Sequence, residues 1–159
     1  MGYWRWLLLA VAIAGLDQVT KLWAESALHA YESVELLPVL SLTLGYNTGA
    51  AFSLLGEAAG WQRWVLAAVA LGVSLYLIYW LRQLGTGYPR LSLGLALILA
   101  GALGNLIDRL RLGHVVDFIH LHYAGFHWPL FNVADIGITL GAALVIAIFL
   151  FADRSKPVA

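Results

Sequence analysis

The chain has 159 residues, 62% of them hydrophobic and only 11% charged, with nine basic and nine acidic side chains and so no net charge. A water-soluble domain carries about 25% charged residues to clothe its surface, so much of this exterior must face lipid. Zero net charge without a basic stripe excludes a nucleic-acid binder, and the absence of cysteine excludes disulfides, thiolate metal sites and a thiol nucleophile.

The first apolar stretch covers residues 3–23. Arg5 followed by residues 6–16, with Ala12, Ile13 and Ala14, has the form of a signal peptide. Apolar character resumes after Asp17 with Val19, Leu22 and Trp23, so the stretch is read instead as a helix long enough to cross a bilayer. Asp17 and Lys21 stand one helical turn apart and can pair, either as a salt bridge at the membrane edge or as part of a site.

Residues 25–61 lose helical period. Leu40, Leu42, Leu44 and Tyr46 alternate with Ser41 and Thr43 after a break at Pro38, the pattern of a half-buried strand, and the small-residue turn NTGAA follows. A small β-element outside the membrane is expected there. Three further spans, about 64–81, 91–109 and 135–152, complete an all-α membrane protein of four transmembrane helices in a single domain covering 1–159. In the third, Ala96, Ala100 and Gly104 recur every four residues, a spacing that lets helices approach closely in lipid.

Arg5, Arg82, Arg90, Arg154 and Lys156 flank one side of these spans, against Lys21, Arg63, Arg109 and Arg111 on the other, so both termini are expected in the cytoplasm. Trp4, Trp6, Trp23, Trp61, Trp64, Trp80, Tyr79 and Tyr88 fall near span ends, an interfacial belt rather than a cofactor box.

The chemistry concentrates between Gly104 and Asp135. Asn105, Asp108 and Arg109 share a helical face at the end of the third span, and Asn132 and Asp135 repeat the three-residue spacing at the start of the fourth. Such groups are costly toward lipid and should turn inward, with Arg109 pairing a carboxylate, Asp108 foremost; a polar network gluing helices together is the structural alternative. Asp117 and Asp135 can instead meet in one cleft. Two close carboxylates share a proton, so one activates water while the other polarises a carbonyl, which is peptide hydrolysis without a covalent intermediate. Which of the two holds the proton is left open.

Metal binding by His114, Asp117, His120 and His122 is a rival, but HExxH spacing is absent and no metal or other cofactor is expected. The few serines lie in no GxSxG elbow. A small proton- or ion-coupled transporter is the alternative from another class, although its charges belong near mid-membrane and these gather at one boundary.

Four blocks now carry a resemblance: DQVTK at 17–21, NTGAAFS at 47–53, GNLIDRLRLGHVVDF at 104–118 and FNVADIGI at 131–138. In them the chain resembles lipoprotein signal peptidase, signal peptidase II, the bacterial intramembrane aspartyl peptidase family. The resemblance implies Asp117 and Asp135 as catalytic residues, with Asp17, Lys21, Asn47, Gly49, Asn105, Asp108, Arg109, Asn132 and Ala134 as supporting or substrate-binding positions. It implies an extracytoplasmic β-cradle over 25–61 and a multi-pass monomer in the inner membrane, its site toward the extracytoplasmic face. The implied partners are membrane lipid and a diacylglyceryl-modified prolipoprotein, cut N-terminal to the lipidated Cys. His114, His120, His122 and His127 receive no role.

Overall fold

The computed structural model describes residues 2–49 and 60–151. Ala50, Ala51, Phe52 and Ser53 of the NTGAAFS block lie outside the described residues, as do Gly56, Glu57, Arg154 and Lys156. Among the described residues, four helices are long and apolar enough to cross a membrane: α1 (Trp4–Ala27), α2 (Gln62–Leu84), α3 (Pro89–Arg111) and α4 (Val133–Phe151). They overlap the four expected spans. Glu25 sits inside α1, one turn later than the expected boundary, because the helix continues to Ala27 before the extended Leu28 ends it.

Local chemistry sets the ends. Pro89 opens α3, where its missing N–H costs nothing, and Gly85 closes α2 with a φ of 59° that a side chain would resist. Helix α3 is the most enclosed of the four and packs against α1, α2 and α4, while α2 and α4 scarcely meet. Near the α2–α3 connection, Ala10, Leu77, Leu81, Leu84, Leu91, Leu95, Leu99 and Ala100 form the apolar core.

The closest approach is between α3 and α4, and it is glycine that permits it. A Cβ on Gly101 would strike the Ala134 carbonyl and one on Gly141 would lie 2.6 Å from the Gly94 carbonyl; one on Gly104 would lie 3.1 Å from Ala134 Cβ and, toward α1, 2.5 Å from Asp17 Oδ2. Of the expected Ala96, Ala100 and Gly104 stripe, Ala100 belongs instead to the apolar core shared with α1 and α2.

A four-stranded antiparallel sheet caps the end where α1 and α3 finish and α2 and α4 begin. Its order is β1 (Ser33–Leu37), β2 (Leu40–Asn47), β3 (Val115–Tyr123) and β4 (Phe126–His127). The strand expected at Leu40 to Tyr46 is β2. Half of the sheet, however, comes from residues after α3, where Val115, Val116, Phe118 and Ile119 alternate too imperfectly around Asp117 for the sequence to read as a strand. The register places Gly45 opposite Asp117, after a shift in pairing between Leu42 and Gly45. Ile119 and Phe131 exchange both main-chain hydrogen bonds, at 2.9 and 3.1 Å, which brings the start of α4 beside β3.

Candidate active site

The two carboxylates come together from different elements. Asp117 lies on β3, and Asp135 occupies the third position of α4. Both line a cavity of about 940 Å³ between α2 and α4, whose floor is formed by Ile98, Ala102, Asn105 and Arg109 of α3.

Asn132 is the residue that joins them. Its Oδ1 accepts from the Asp135 N–H at 3.0 Å while Asp135 Oδ2 accepts from the Asn132 N–H at 3.2 Å. This reciprocal pair is a capping box, satisfying helix-end donors that have no partner within α4. The side-chain amide of Asn132 then donates to Asp117 Oδ1 at 2.6 Å. Asn47, at the end of β2, donates to Asp117 Oδ2 at 3.2 Å, and Asn105 donates to Asp135 Oδ1 at 2.9 Å. Each of the four carboxylate oxygens thus receives one amide donor, and amides surrender no protons. Any proton in the pair stays with the carboxyls.

Asp117 is only 3% exposed. Burial first, and the neighbouring Asp135 second, push its carboxyl up to about 7, against the lowering pull of Asn47, Asn132 and the Lys21 charge. At neutral pH it therefore exchanges a proton readily, as a general acid or base must.

Arg109 donates to the Gly49 carbonyl at 3.2 Å and to the Asn105 carbonyl at 3.3 Å. Gly49 in turn gives its N–H to Asn47 Oδ1 at 3.0 Å, so Arg109 fixes the turn that aims Asn47. The expected pairing of Asp108 with Arg109 is corrected by the structure. Asp108 turns toward α1 and pairs with Lys21 at 2.7 Å. One helical step separates consecutive residues by about 100°, enough to send the two side chains to different neighbours.

Lys21 also pairs with Asp17 at 2.8 Å and donates to Asn105 Oδ1 at 3.0 Å. Asp17 is wholly buried; its Oδ1 accepts from the Ala134 N–H at 2.8 Å, a second helix-end donor of α4. Asp108 accepts from the Val116 N–H at 3.2 Å and from Gln18 at 2.7 Å. Two carboxylates and one ammonium, buried with these hydrogen bonds, tie α1, α3, β3 and α4 into one frame. Gln18 had no signal in the sequence beyond its place in DQVTK.

All eleven expected positions are described. Nine of them touch the carboxylates or the frame directly; Arg109 and Gly49 act through Asn47. Of the residues in the rival metal reading, His114 packs edge-on against Tyr46, with ring centres 4.6 Å apart, away from His120 and His122.

Comparison with known proteins settles the lineage. The family model described as signal peptidase (SPase) II matches residues 9–151. The chain belongs to the signal peptidase II family. It is a multi-pass inner-membrane aspartic endopeptidase of that type. A lipoprotein signal peptidase of Pseudomonas syringae pv. tomato is 48% identical over 156 residues, covering 97% of this chain and 90% of the relative. One from Shewanella piezotolerans is 50% identical over 143 residues, 90% of this chain and 83% of the relative. A bacterial membrane enzyme solved by the in meso method superposes with a TM-score of 0.83 at 30% identity, over 98% of this chain and 93% of that one. A second such structure gives 0.81 at 31% identity, over 94% of each chain. The all-α membrane fold with a small antiparallel sheet is therefore the family's fold.

Proposed function

We propose that Asp117 and Asp135 are the catalytic pair, and that they remove the signal peptide from diacylglyceryl-modified prolipoproteins by cutting N-terminal to the lipidated Cys. The observation that carries this reading is the shared grip of Asn132 on both carboxylates at the wall of an apolar cavity. One ionised carboxylate takes a proton from water, whose oxygen attacks the scissile carbonyl. The other gives its proton to the carbonyl oxygen, and collapse of the tetrahedral species passes a proton to the leaving nitrogen.

The cavity suits a lipid-bearing substrate. Leu66, Val69, Val73, Ile136 and Leu140 line its walls, and each buried CH₂ of an acyl chain contributes about 0.8 kcal/mol to holding a scissile bond beside the carboxylates. The basic residues support an extracytoplasmic site. Arg5, Arg82 and Arg90 lie at the helix ends remote from the sheet, whereas on the sheet side Lys21 and Arg109 are committed to the site and Arg111 to Gln18, which leaves Arg63, stacked over Trp64, as the remaining cation there among the described residues. The enzyme acts as a monomer in this reading.

Purified enzyme is to be given a prolipoprotein substrate with and without its diacylglyceryl group. Cleavage of the lipidated form alone, directly before the modified Cys, is the expected result. Equal cleavage of both forms overturns the substrate assignment, and full activity in Asp117→Asn or Asp135→Asn overturns the pair.

A further inference from the structure

The sheet carries a second pocket, separate from the carboxylates, of about 320 Å³, and every residue lining it is polar: Ser33, Glu35, Ser41, His120, His122 and His127. Its three histidines share one sheet face for simple reasons. His120 and His122 stand two apart on β3, and His127 on β4 is the direct cross-strand partner of His122. Their ring centres lie 5.1, 5.4 and 5.9 Å apart. Three imidazoles on one tetrahedral ion, with metal–nitrogen bonds of about 2.0–2.1 Å, have ring centres roughly 5 Å apart and bound nitrogens roughly 3.3 Å apart. His120 Nε2 and His127 Nδ1 are already 3.2 Å apart.

His122 is the group out of place, its Nε2 turned to Ser41 Oγ at 2.7 Å, and no three ligating side chains converge among the described residues. The site therefore requires that half-buried ring to turn away from Ser41 and present its nitrogen to the other two. Thr43 Oγ1 lies 3.4 Å from His120 Nδ1, so the ring nitrogen away from the pair already has a partner that orients it. Glu35 faces the histidines from β1, through its pairing with Ser41 and that of Ser41 with His120.

We propose that His120, His122 and His127 bind a divalent d-block cation, Zn²⁺ foremost, with Glu35 as the carboxylate on the far wall. Imidazole nitrogens with one carboxylate are a borderline-soft donor set, which selects zinc, copper or nickel over calcium or magnesium. The ion would bridge β3 to β4, and β4 runs directly into Trp128, Pro129, Leu130 and Phe131, which line the apolar cavity. Metal binding thereby braces one wall of that cavity from outside. The inference does not depend on which residues cut the substrate.

The test is calorimetric titration of Zn²⁺ into the full chain in detergent, carrying no polyhistidine tag and stripped with chelator. The expected result is one ion per chain with a micromolar Kd, weakened at least about tenfold by each of His120→Ala, His122→Ala and His127→Ala and unchanged by His29→Ala or His114→Ala. Zn²⁺ is also expected to raise the thermal unfolding midpoint of the parent and not of these three variants. Binding weaker than millimolar, retention of full affinity in any one of the three, or loss on His114→Ala overturns the proposal. If an alanine variant fails to fold, the same outcomes are read from His120→Gln, His122→Gln and His127→Gln.

Discussion

The side-chain amide of Asn132 donates to Asp117 Oδ1 over 2.6 Å, and the same residue caps the helix that carries Asp135. One side chain therefore sets both the start of α4 and the register of the two carboxylates. Asn132→Ala is expected to cost about 1–2 kcal/mol of stability as a lost cap and to reduce cleavage by about 10²-fold or more. A variant with the stability loss but undiminished turnover would separate the two roles and remove Asn132 from the site.

Substituting either carboxyl by its amide is expected to lower turnover by at least about 10²-fold without reducing expression or the folded fraction. Steady-state cleavage beside a detergent-stability assay makes the comparison. Loss of turnover confined to one of the two variants would leave no reason for the pair.

The position of Asp117 at about 7 gives a pH dependence with a definite sign. Below about pH 4 the group is protonated in folded and unfolded chains alike; between there and about 7 only the folded chain keeps the proton, so stability falls as pH rises through that window. Above about 7 the full penalty stands. Asp117→Asn is thus expected to stabilise the protein at pH 8, by about 1–3 kcal/mol, and to have little effect near pH 4. Turnover should fall on the alkaline side of about pH 7, as the shared proton leaves. A thermal-shift series and a kcat/KM profile over pH test both; identical unfolding midpoints at pH 8 would contradict the first.

Lys21→Met leaves Asp17 and Asp108 buried without their cation and is expected to destabilise by about 3–5 kcal/mol. Adding Asp108→Asn removes one of the orphaned charges, so the double variant should be more stable than Lys21→Met alone. Additive losses would place Asp108 outside the pair.

Gly104→Ala puts a methyl 2.5 Å from Asp17 Oδ2 and 3.1 Å from the Ala134 side chain. Both are fixed, Asp17 by Lys21 and Ala134 by the Asp17 hydrogen bond, so the helices must part. A loss of about 1–3 kcal/mol is expected, measurable as a lower unfolding midpoint.

The four spans were legible because a bilayer demands long uncharged runs and nothing else in the sequence imitates them. β2 was legible from Leu40, Leu42 and Leu44, but β3 was hidden, since Val115, Val116, Asp117 and Phe118 are buried on both faces of the strand and a strand enclosed on both sides shows no alternation. The carboxylates could be named from their expense near lipid. Part of their geometry is legible too: the NVAD stretch of residues 132–135 carries a capping-box spacing, N-x-x-D before an apolar run, which places Asn132 and Asp135 in mutual contact, whereas the reach of Asn132 to Asp117 depends on how β3 pairs beside α4. Spacing along α3 likewise put Asp108 and Arg109 on one face, while the choice of Lys21 as the partner of Asp108 depends on how α1 packs against α3. No local pattern encodes that.

Helices α2 and α4 both lean on α3 and scarcely on each other, leaving the 940 Å³ cavity as a slot between them. In the proposed function, such a slot would open toward the acyl chains of the bilayer, and lipid would compete with substrate for its apolar walls. A lipid-anchored substrate would then arrive by diffusion within the plane of the membrane. Encounter frequency would follow the surface density of that substrate and the fluidity of the bilayer, so dilution into excess detergent or lipid is expected to slow the enzyme with no change in any residue of its site.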